Sequence, residues 1–100
     1  MEKPTPHYHL GVVQAQVACL GPAAFTKTAI DGGREMGLTS VEVLAVIAAL
    51  TKRNFHKSMT TYEDHRIWQD VYHAPTPVDK EAYIKITMRD EAPVIQFKEK

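Results

Sequence analysis

Apolar residues in the first half of the chain recur at the spacing of an α-helix. The first such series is Leu10, Val13, Val17 and Leu20. It predicts a helix, because side chains three or four residues apart lie on one helical face. Thr5 and Pro6 have the residue types preferred at an N-cap and in a first turn, so we expect the helix to begin there. Gly21-Pro22 predicts its end.

A second and weaker helical pattern covers about Thr26–Met36. It contains Gly32-Gly33, and each glycine costs about 1 kcal/mol relative to alanine inside a helix. We therefore expect this helix to break or fray at the pair. Gly37 has the residue type that commonly ends a helix in the left-handed conformation.

A third helix is predicted with a defined start. Thr39 and Glu42 have the spacing of a capping box, in which each side chain accepts a hydrogen bond from the other residue's backbone N–H. The segment Val41–Leu50 that follows is apolar on nearly every side. Such a pattern predicts the central, buried helix of the domain.

After Lys52 the apolar period changes from helical to alternating, which predicts β-strands. The four predicted strands are about Phe55–Thr61, Ile67–His73, Ala82–Met88 and Val94–Lys98. Helices followed by strands indicate an α+β fold, with N-terminal helices packed on a C-terminal antiparallel sheet. A chain of 100 residues predicts a single domain over 1–100.

Alternation in the last two strands separates an apolar side from a polar side. Residues that share the polar side are Tyr83, Lys85, Gln96 and Lys98. Two amines, a phenol and an amide on one open face suit a phosphodiester, although such a face is also typical of a solvated surface. Lys57 and Gln69 share their parity with apolar neighbours. Either a bulge reorients Lys57 or both faces of these strands are partly covered.

Charge and cysteine content limit the kinds of partner. Twelve basic and twelve acidic residues give zero net charge, so any nucleic-acid contact must be local. Cys19 is the only cysteine, which excludes an internal disulfide, and its apolar neighbours predict a buried, inert thiol. The apolar run Val43–Leu50 is too short to span a bilayer, and the first residues lack a signal-peptide pattern, so we expect a cytoplasmic protein.

The block Lys57–Tyr72, read as KSMTTY, then DH, then IWQDVY, resembles the motility quorum-sensing regulator (MqsR) toxins of bacterial type II toxin–antitoxin systems. The opening Met1-Glu2-Lys3, the triplet Thr5-Pro6-His7, the strand Tyr83–Thr87 and the ending Phe97–Lys100 are similar to that family as well. The segment His73–Glu81 departs most from its pattern.

The resemblance implies a fold like that of RelE and YoeB, and an mRNA interferase that cuts messages at GCU-type triplets. It also implies a cognate antitoxin similar to MqsA, with a zinc-binding N-terminal domain and a helix-turn-helix C-terminal domain. The family's proposed active-site residues fall on Lys57, Gln69, Tyr83 and Lys98. No cofactor is implied, and the spacing of the five histidines does not favour a metal site.

Metal-free RNA cleavage needs a base for the 2′-hydroxyl, charge relief at the phosphate and an acid for the 5′-oxygen. We expect Lys57 and Lys98 to stabilise charge or donate a proton, Tyr83 to act in acid–base or orienting work, and Gln69 to hold phosphate or sugar. Crowding of the lysines would lower a lysine pKa and so supply a base. Lys85, Gln96 and Arg66 are the predicted RNA-binding residues.

Two functions remain open from the sequence. One is a sequence-selective endoribonuclease, favoured by the four active-site matches. The other is a module that binds the antitoxin and modulates its hold on operator DNA without significant nuclease activity, which the neutral net charge favours.

Overall fold

A computed structural model describes all of residues 1–100. The helices are α1 (Leu10–Leu20), α2 (Lys27–Glu35) and α3 (Ser40–Ala48), and short 3-10 turns cover Gly21–Ala24 and Lys52–Asn54. The strands are β1 (Glu2–Lys3), β2 (Phe55–Thr60), β3 (Trp68–Pro75), β4 (Glu81–Arg89) and β5 (Ala92–Glu99). Helices packed on a C-terminal antiparallel sheet confirm the predicted α+β fold. None of the helices has both the length and the apolar character that crossing a membrane requires.

The sheet is an antiparallel meander in which the strands lie in chain order. Strand β1 is an addition to the four predicted strands, and it pairs Glu2 with Met59 and Lys3 with Ser58. Two residues carry too little pattern to predict a strand. Between β4 and β5, Asp90 and Glu91 both have positive φ, of 52° and 64°. Positive φ at both central residues is typical of the tight turns that match the twist of paired strands.

Helix α1 begins later than predicted. Its N-cap is His9, whose side chain accepts a hydrogen bond from the Val12 backbone N–H at 3.4 Å, so the prediction of a start at Thr5-Pro6 is wrong. The reason lies in the sheet. The backbone N–H groups of His7 and Tyr8 donate to the Asp70 carboxylate, at 3.0 and 2.9 Å, and this contact holds the segment outside the helix.

The carboxylate of Asp70 is buried on the side of the sheet that faces the helices. It is 1% exposed, and the Ser58 hydroxyl donates to it at 2.7 Å. A buried carboxylate is tolerated when its oxygens accept hydrogen bonds. Here the donors come from β2 and from the segment before α1, so Asp70 ties the N-terminus of the chain to the sheet.

Helix α2 continues through its two glycines, which contradicts the predicted break. A Cβ atom added at Gly32 would lie 2.3 Å from the Phe97 carbonyl oxygen, and one added at Gly33 would lie 2.7 Å from the Val43 side chain. The glycines therefore allow α2 to approach β5 and α3 closely. The start of α2 is fixed by Thr26, whose side chain accepts from the Ala29 N–H at 3.0 Å.

The capping box of α3 is confirmed, with Thr39 and Glu42 each accepting from the other's backbone N–H, at 3.2 and 2.8 Å. The expectation that α3 is the central helix is wrong. Val41 is 75% exposed, and α3 packs mainly on α1, whereas α2 lies along β5. When a helix is apolar on nearly every side, its sequence does not indicate which side packs in the core.

The core forms between the helices and the apolar side of the sheet. In the last two strands, Ala82, Ile84, Ile86, Ile95 and Phe97 are buried as alternation predicts, and Thr87 is buried against it. Tyr72 of β3 is also buried. Cys19 is exposed on α1, so the prediction of a buried thiol is wrong. Its apolar neighbours lie on both sides of the helix and do not define its own face.

Candidate functional site

The side of the sheet that faces away from the helices is called here the open face. It carries Lys57, Gln69, His73, Tyr83, Lys85, Gln96 and Lys98. A register irregularity between Phe55 and Lys57 is a bulge, the first of the two alternatives that the sequence left open. It sets Lys57 opposite Val71, which itself lies opposite Lys85. The bulge therefore turns Lys57 onto the same face as the later lysines.

Strand register arranges the open face in rows that cross the sheet. One row joins His73, Tyr83 and Lys98. The next row contains Lys57, Lys85 and Gln96, so it runs beside the first.

Gln69 shares the face but not the centre. It pairs with Met59 and lies four residues along β3 from His73, or roughly 13 Å at the rise of a strand. The two neighbouring rows therefore bring Lys57, Tyr83 and Lys98 together. Gln69 lies closer to the other end of the open face.

Tyr83 lies between two ammonium groups. The Nζ atom of Lys98 is 5.3 Å from the ring centroid of Tyr83, and that of Lys85 is 5.9 Å from it. Cations at such distances from an aromatic ring interact favourably with its face. Neither lysine forms an ion pair with a carboxylate. Both ammonium groups are thus free to bind an anion beside the phenol.

A cleft of about 320 Å³ opens at this position. Its lining consists of Thr26, Thr28, Ala29, Tyr83, Lys85, Gln96, Phe97 and Lys98. One wall is the first turn of α2 and the floor is β4 and β5. Hydroxyls, an amide, a phenol and two ammonium groups converge on it, which is the donor set that a phosphodiester needs.

Lys57 differs from the other two lysines because it is already paired. Its Nζ atom donates to a Glu2 carboxylate oxygen at 2.6 Å. This hydrogen bond raises the pKa of Lys57, and the bond from Lys57 lowers the pKa of Glu2. The pKa of Lys57 therefore moves away from neutrality. The expectation that lysine crowding makes a base is wrong for Lys57.

Arg66 is not part of the cleft. It lies in the turn between β2 and β3, 89% exposed, and its guanidinium binds Asp64 at 3.1 Å. The hydrogen bond from Arg66 lowers the pKa of Asp64. The turn is at the end of β3 away from His73, so Arg66 and the cleft do not meet around one phosphate.

Two histidines on the open face were not among the predicted site residues. The rings of His56 and His73 stack with centroids 4.4 Å apart, and His73 lies 5.4 Å from Tyr83. His73 has the same parity as Gln69 in β3, so alternation would have found it. His56 sits in the bulge, where parity fails. Glu2 was missed because β1 is too short to predict.

Comparisons with known proteins show the family of the chain. Residues 5–99 match the family described as "Motility quorum-sensing regulator, toxin of MqsA". The Escherichia coli (strain K12) protein named "mRNA interferase toxin MqsR" is 43% identical over 100 residues, which span 100% of both chains. The chain therefore belongs to the family of motility quorum-sensing regulator toxins.

Proposed function

We propose that this chain is the toxin of a type II toxin–antitoxin pair and that it cuts mRNA in the cytoplasm. The chain is an endoribonuclease, as the name of its Escherichia coli relative indicates for that protein. We place the active site in the cleft because of one observation. There, the ammonium groups of Lys85 and Lys98 lie beside the Tyr83 phenol, and neither is bound to a carboxylate.

The proposed chemistry is metal-independent attack of a ribose 2′-oxygen on the adjacent phosphorus. Lysine ammonium groups are protonated at neutral pH, so they stabilise the charge that develops on the phosphorane oxygens without any tuning. Lys98 lies at the β5 end of its row, in the cleft, and donates a proton to the departing 5′-oxygen. Tyr83 orients the phosphate from the floor of the cleft.

The remaining residues of the face would hold the strand on either side of the scissile phosphate. Lys85 and Gln96 line the cleft and contact the phosphate or its neighbour. Lys57 contributes its charge once an RNA phosphate competes with Glu2. Gln69 and Arg66 lie further along the sheet, and their proposed contacts are to sugar or phosphate of nucleotides outside the cleft.

The family description, "toxin of MqsA", supports a cognate antitoxin as the protein partner. We propose an antitoxin of that kind, with a zinc-binding N-terminal domain and a helix-turn-helix C-terminal domain. An adjacent reading frame with a CxxC pair near its start is the genomic sign to seek. Co-purification of the two products tests the pairing directly.

A cleavage assay tests the nuclease. The purified chain is incubated with RNA that contains one GCU triplet and with a scrambled control, with and without EDTA. We expect cleavage at GCU, resistance to EDTA, a 2′,3′-cyclic phosphate product, and no cut when a 2′-deoxynucleotide precedes the scissile phosphate. Lys98→Ala should cleave far more slowly than the native chain, while Lys52→Ala, the same change outside the cleft, should cleave normally. RNA left intact by a chain that still binds its antitoxin would favour the binding-module function instead.

A further inference from the structure

The proposed function leaves one role without a residue, the base that takes the proton of the 2′-hydroxyl. An in-line displacement puts the attacking and departing oxygens on opposite sides of the phosphorus, so base and acid must flank the phosphate. The row His73, Tyr83 and Lys98 has this form, because the strands order it as β3, β4 and β5. Tyr83 is in the middle, with an imidazole on one side and an ammonium on the other.

The backbone spacing of the row is suitable. Neighbouring strands are about 4.8 Å apart, so His73 and Lys98 start roughly 10 Å apart across Tyr83. The ring of His73 is 5.4 Å from that of Tyr83, and Lys98 Nζ is 5.3 Å from the same ring. A phosphate above the phenol would therefore have both groups at comparable distance.

The surroundings of His73 favour a neutral ring. Its Nε2 atom is buried and has no hydrogen-bond partner, whereas Nδ1 is not closed off in this way. Burial of the ring disfavours its charged, doubly protonated form. Nδ1 is the nitrogen that a ribose hydroxyl can reach, so the base we consider is the neutral ring with its single proton on Nε2.

The charges around His73 act in the same direction. Burial, followed by Lys100 and then His56, lowers the pKa of His73, and only Glu81 raises it. Glu81 is itself bonded to Lys100 at 3.1 Å. The neutral form thus dominates at pH 7, which a general base requires.

Other candidate bases on the face are occupied. The Glu2 carboxylate is bound by Lys57, and Glu81 is bound by Lys100. Lys57 has a raised pKa and remains an ammonium. Asp70 faces the helices, where it accepts from backbone N–H groups.

We propose that His73 is the general base of this nuclease and that His56, stacked on it at 4.4 Å, is a positioning residue that fixes its ring. This assignment rests on the proposed function.

In the proposed step the proton of the 2′-hydroxyl moves to Nδ1 of His73 as the 2′-oxygen bonds to phosphorus. The bond from phosphorus to the 5′-oxygen breaks, and that oxygen takes a proton from Lys98. The products are a 2′,3′-cyclic phosphate and a 5′-hydroxyl. His73 returns its proton to water, and Lys98 regains one from it, so both groups are restored.

The test is the pH dependence of kcat/KM on a short RNA that contains the cleaved triplet. For the native chain we expect activity to fall on the acid side with an apparent pKa below 6.5. His73→Phe keeps a flat ring against His56 but removes the base, so it should lose about 10²–10⁴-fold in rate together with the acid limb. His65→Phe, the same change at an exposed histidine in the β2–β3 turn, should retain both.

Two further variants separate a chemical role from a structural one. His56→Phe keeps a ring stacked on His73 and should move the acid limb to higher pH, because a neighbour that lowers the pKa of His73 is removed. His73→Ala should regain activity when free imidazole is added, which a purely structural residue would not show. If the phenyl ring disturbs folding, as judged by circular dichroism, His73→Gln repeats the test.

The outcomes distinguish the two proposals. An acid limb that persists in a folded His73 variant, whatever its rate, overturns the assignment of the base and leaves the nuclease in place. A native chain that cleaves no RNA overturns both.

Discussion

The two hairpins of the sheet are built in different ways. Strands β4 and β5 pair without interruption from Ala82↔Glu99 to Arg89↔Ala92, across a two-residue turn. Strands β2 and β3 have an irregularity between Phe55 and Lys57 and a longer turn. The register of the β4–β5 hairpin is regular along its whole length, whereas the register of the β2–β3 hairpin shifts at the bulge.

Their electrostatics differ in the same sense. Lys85 and Lys98, on the β4–β5 hairpin, have no carboxylate partner and flank Tyr83. Lys57 and Arg66, from the β2–β3 hairpin and its turn, are each bound to a carboxylate. The cations of the two hairpins are therefore unequal. Those without a carboxylate partner can bind a phosphate without first breaking an ion pair.

The block Lys57–Tyr72, which is most characteristic of the family, also stabilises the fold. Ser58 and Asp70 both belong to it, and both are buried where they hold the segment around His7. The family motif therefore contains both residues of the candidate site and residues that stabilise the fold. The four predictions below test that division, from the largest effect to the smallest.

The largest effect should come from the free lysine. Lys98→Ala should lower kcat about 10²–10³-fold, the loss typical of one electrostatic donor at a developing charge. Lys57→Ala should lose clearly less, because that ammonium begins bound to Glu2. Single-turnover cleavage of one RNA by both variants measures the difference. Equal losses would remove the distinction between the two hairpins.

Asp70→Asn should act on stability rather than on the cleft. The amide keeps one acceptor oxygen but turns an NH₂ group toward donors from His7, Tyr8 and Ser58. We expect a loss of about 2–3 kcal/mol in the free energy of unfolding, or roughly 10–20 °C in Tm for a domain of this size. Urea unfolding measures it, with Asp31→Asn at an exposed helix position as control. A variant as stable as the native chain would contradict the structural role.

Gly32→Ala tests how the edge of β5 is covered. The added Cβ would lie 2.3 Å from the Phe97 carbonyl oxygen, so α2 must move away from the strand, at about 1–3 kcal/mol. This outweighs the gain of about 1 kcal/mol in helix propensity. Gly11→Ala, where the nearest atom is on the His9 side chain at 3.3 Å, is the matched control. Thermal unfolding should separate the two, and a stabilised Gly32→Ala would contradict the close approach.

The smallest effect is expected from Glu2→Gln. It weakens the hold on Lys57, whose pKa should fall toward the usual lysine value because the negative charge of Glu2 is lost. RNA affinity at low salt should rise roughly two- to five-fold, as expected of an exposed ion pair. Fluorescence anisotropy with an uncleavable 2′-deoxy substrate measures it, and the difference should vanish at 1 M salt. Weaker binding would mean that Glu2 orients Lys57 instead of masking it.

Much of the fold and part of the site could be predicted from local patterns. The capping box at Thr39 depends on residues three apart, and the shared side of Tyr83 and Lys98 depends on alternation. His9 could not be predicted as the N-cap. The backbone N–H groups just before it are held outside the helix by hydrogen bonds to Asp70, which is far along the chain. The predicted break at Gly32-Gly33 was wrong for the same reason. These glycines allow close contacts with β5 and α3, which are distant along the chain.

By itself the sequence determined the class of fold and the polar side of the last two strands, because these follow from spacing along a single segment. It also determined the family, through motifs that resemble those of the family. Only the tertiary structure decided that the bulge turns Lys57 to the open face, that Glu2 binds it, and that His56 stacks on His73. Each of these depends on the register between strands and on the two residues of β1. Register is set by the packing of the whole sheet, which no local pattern contains.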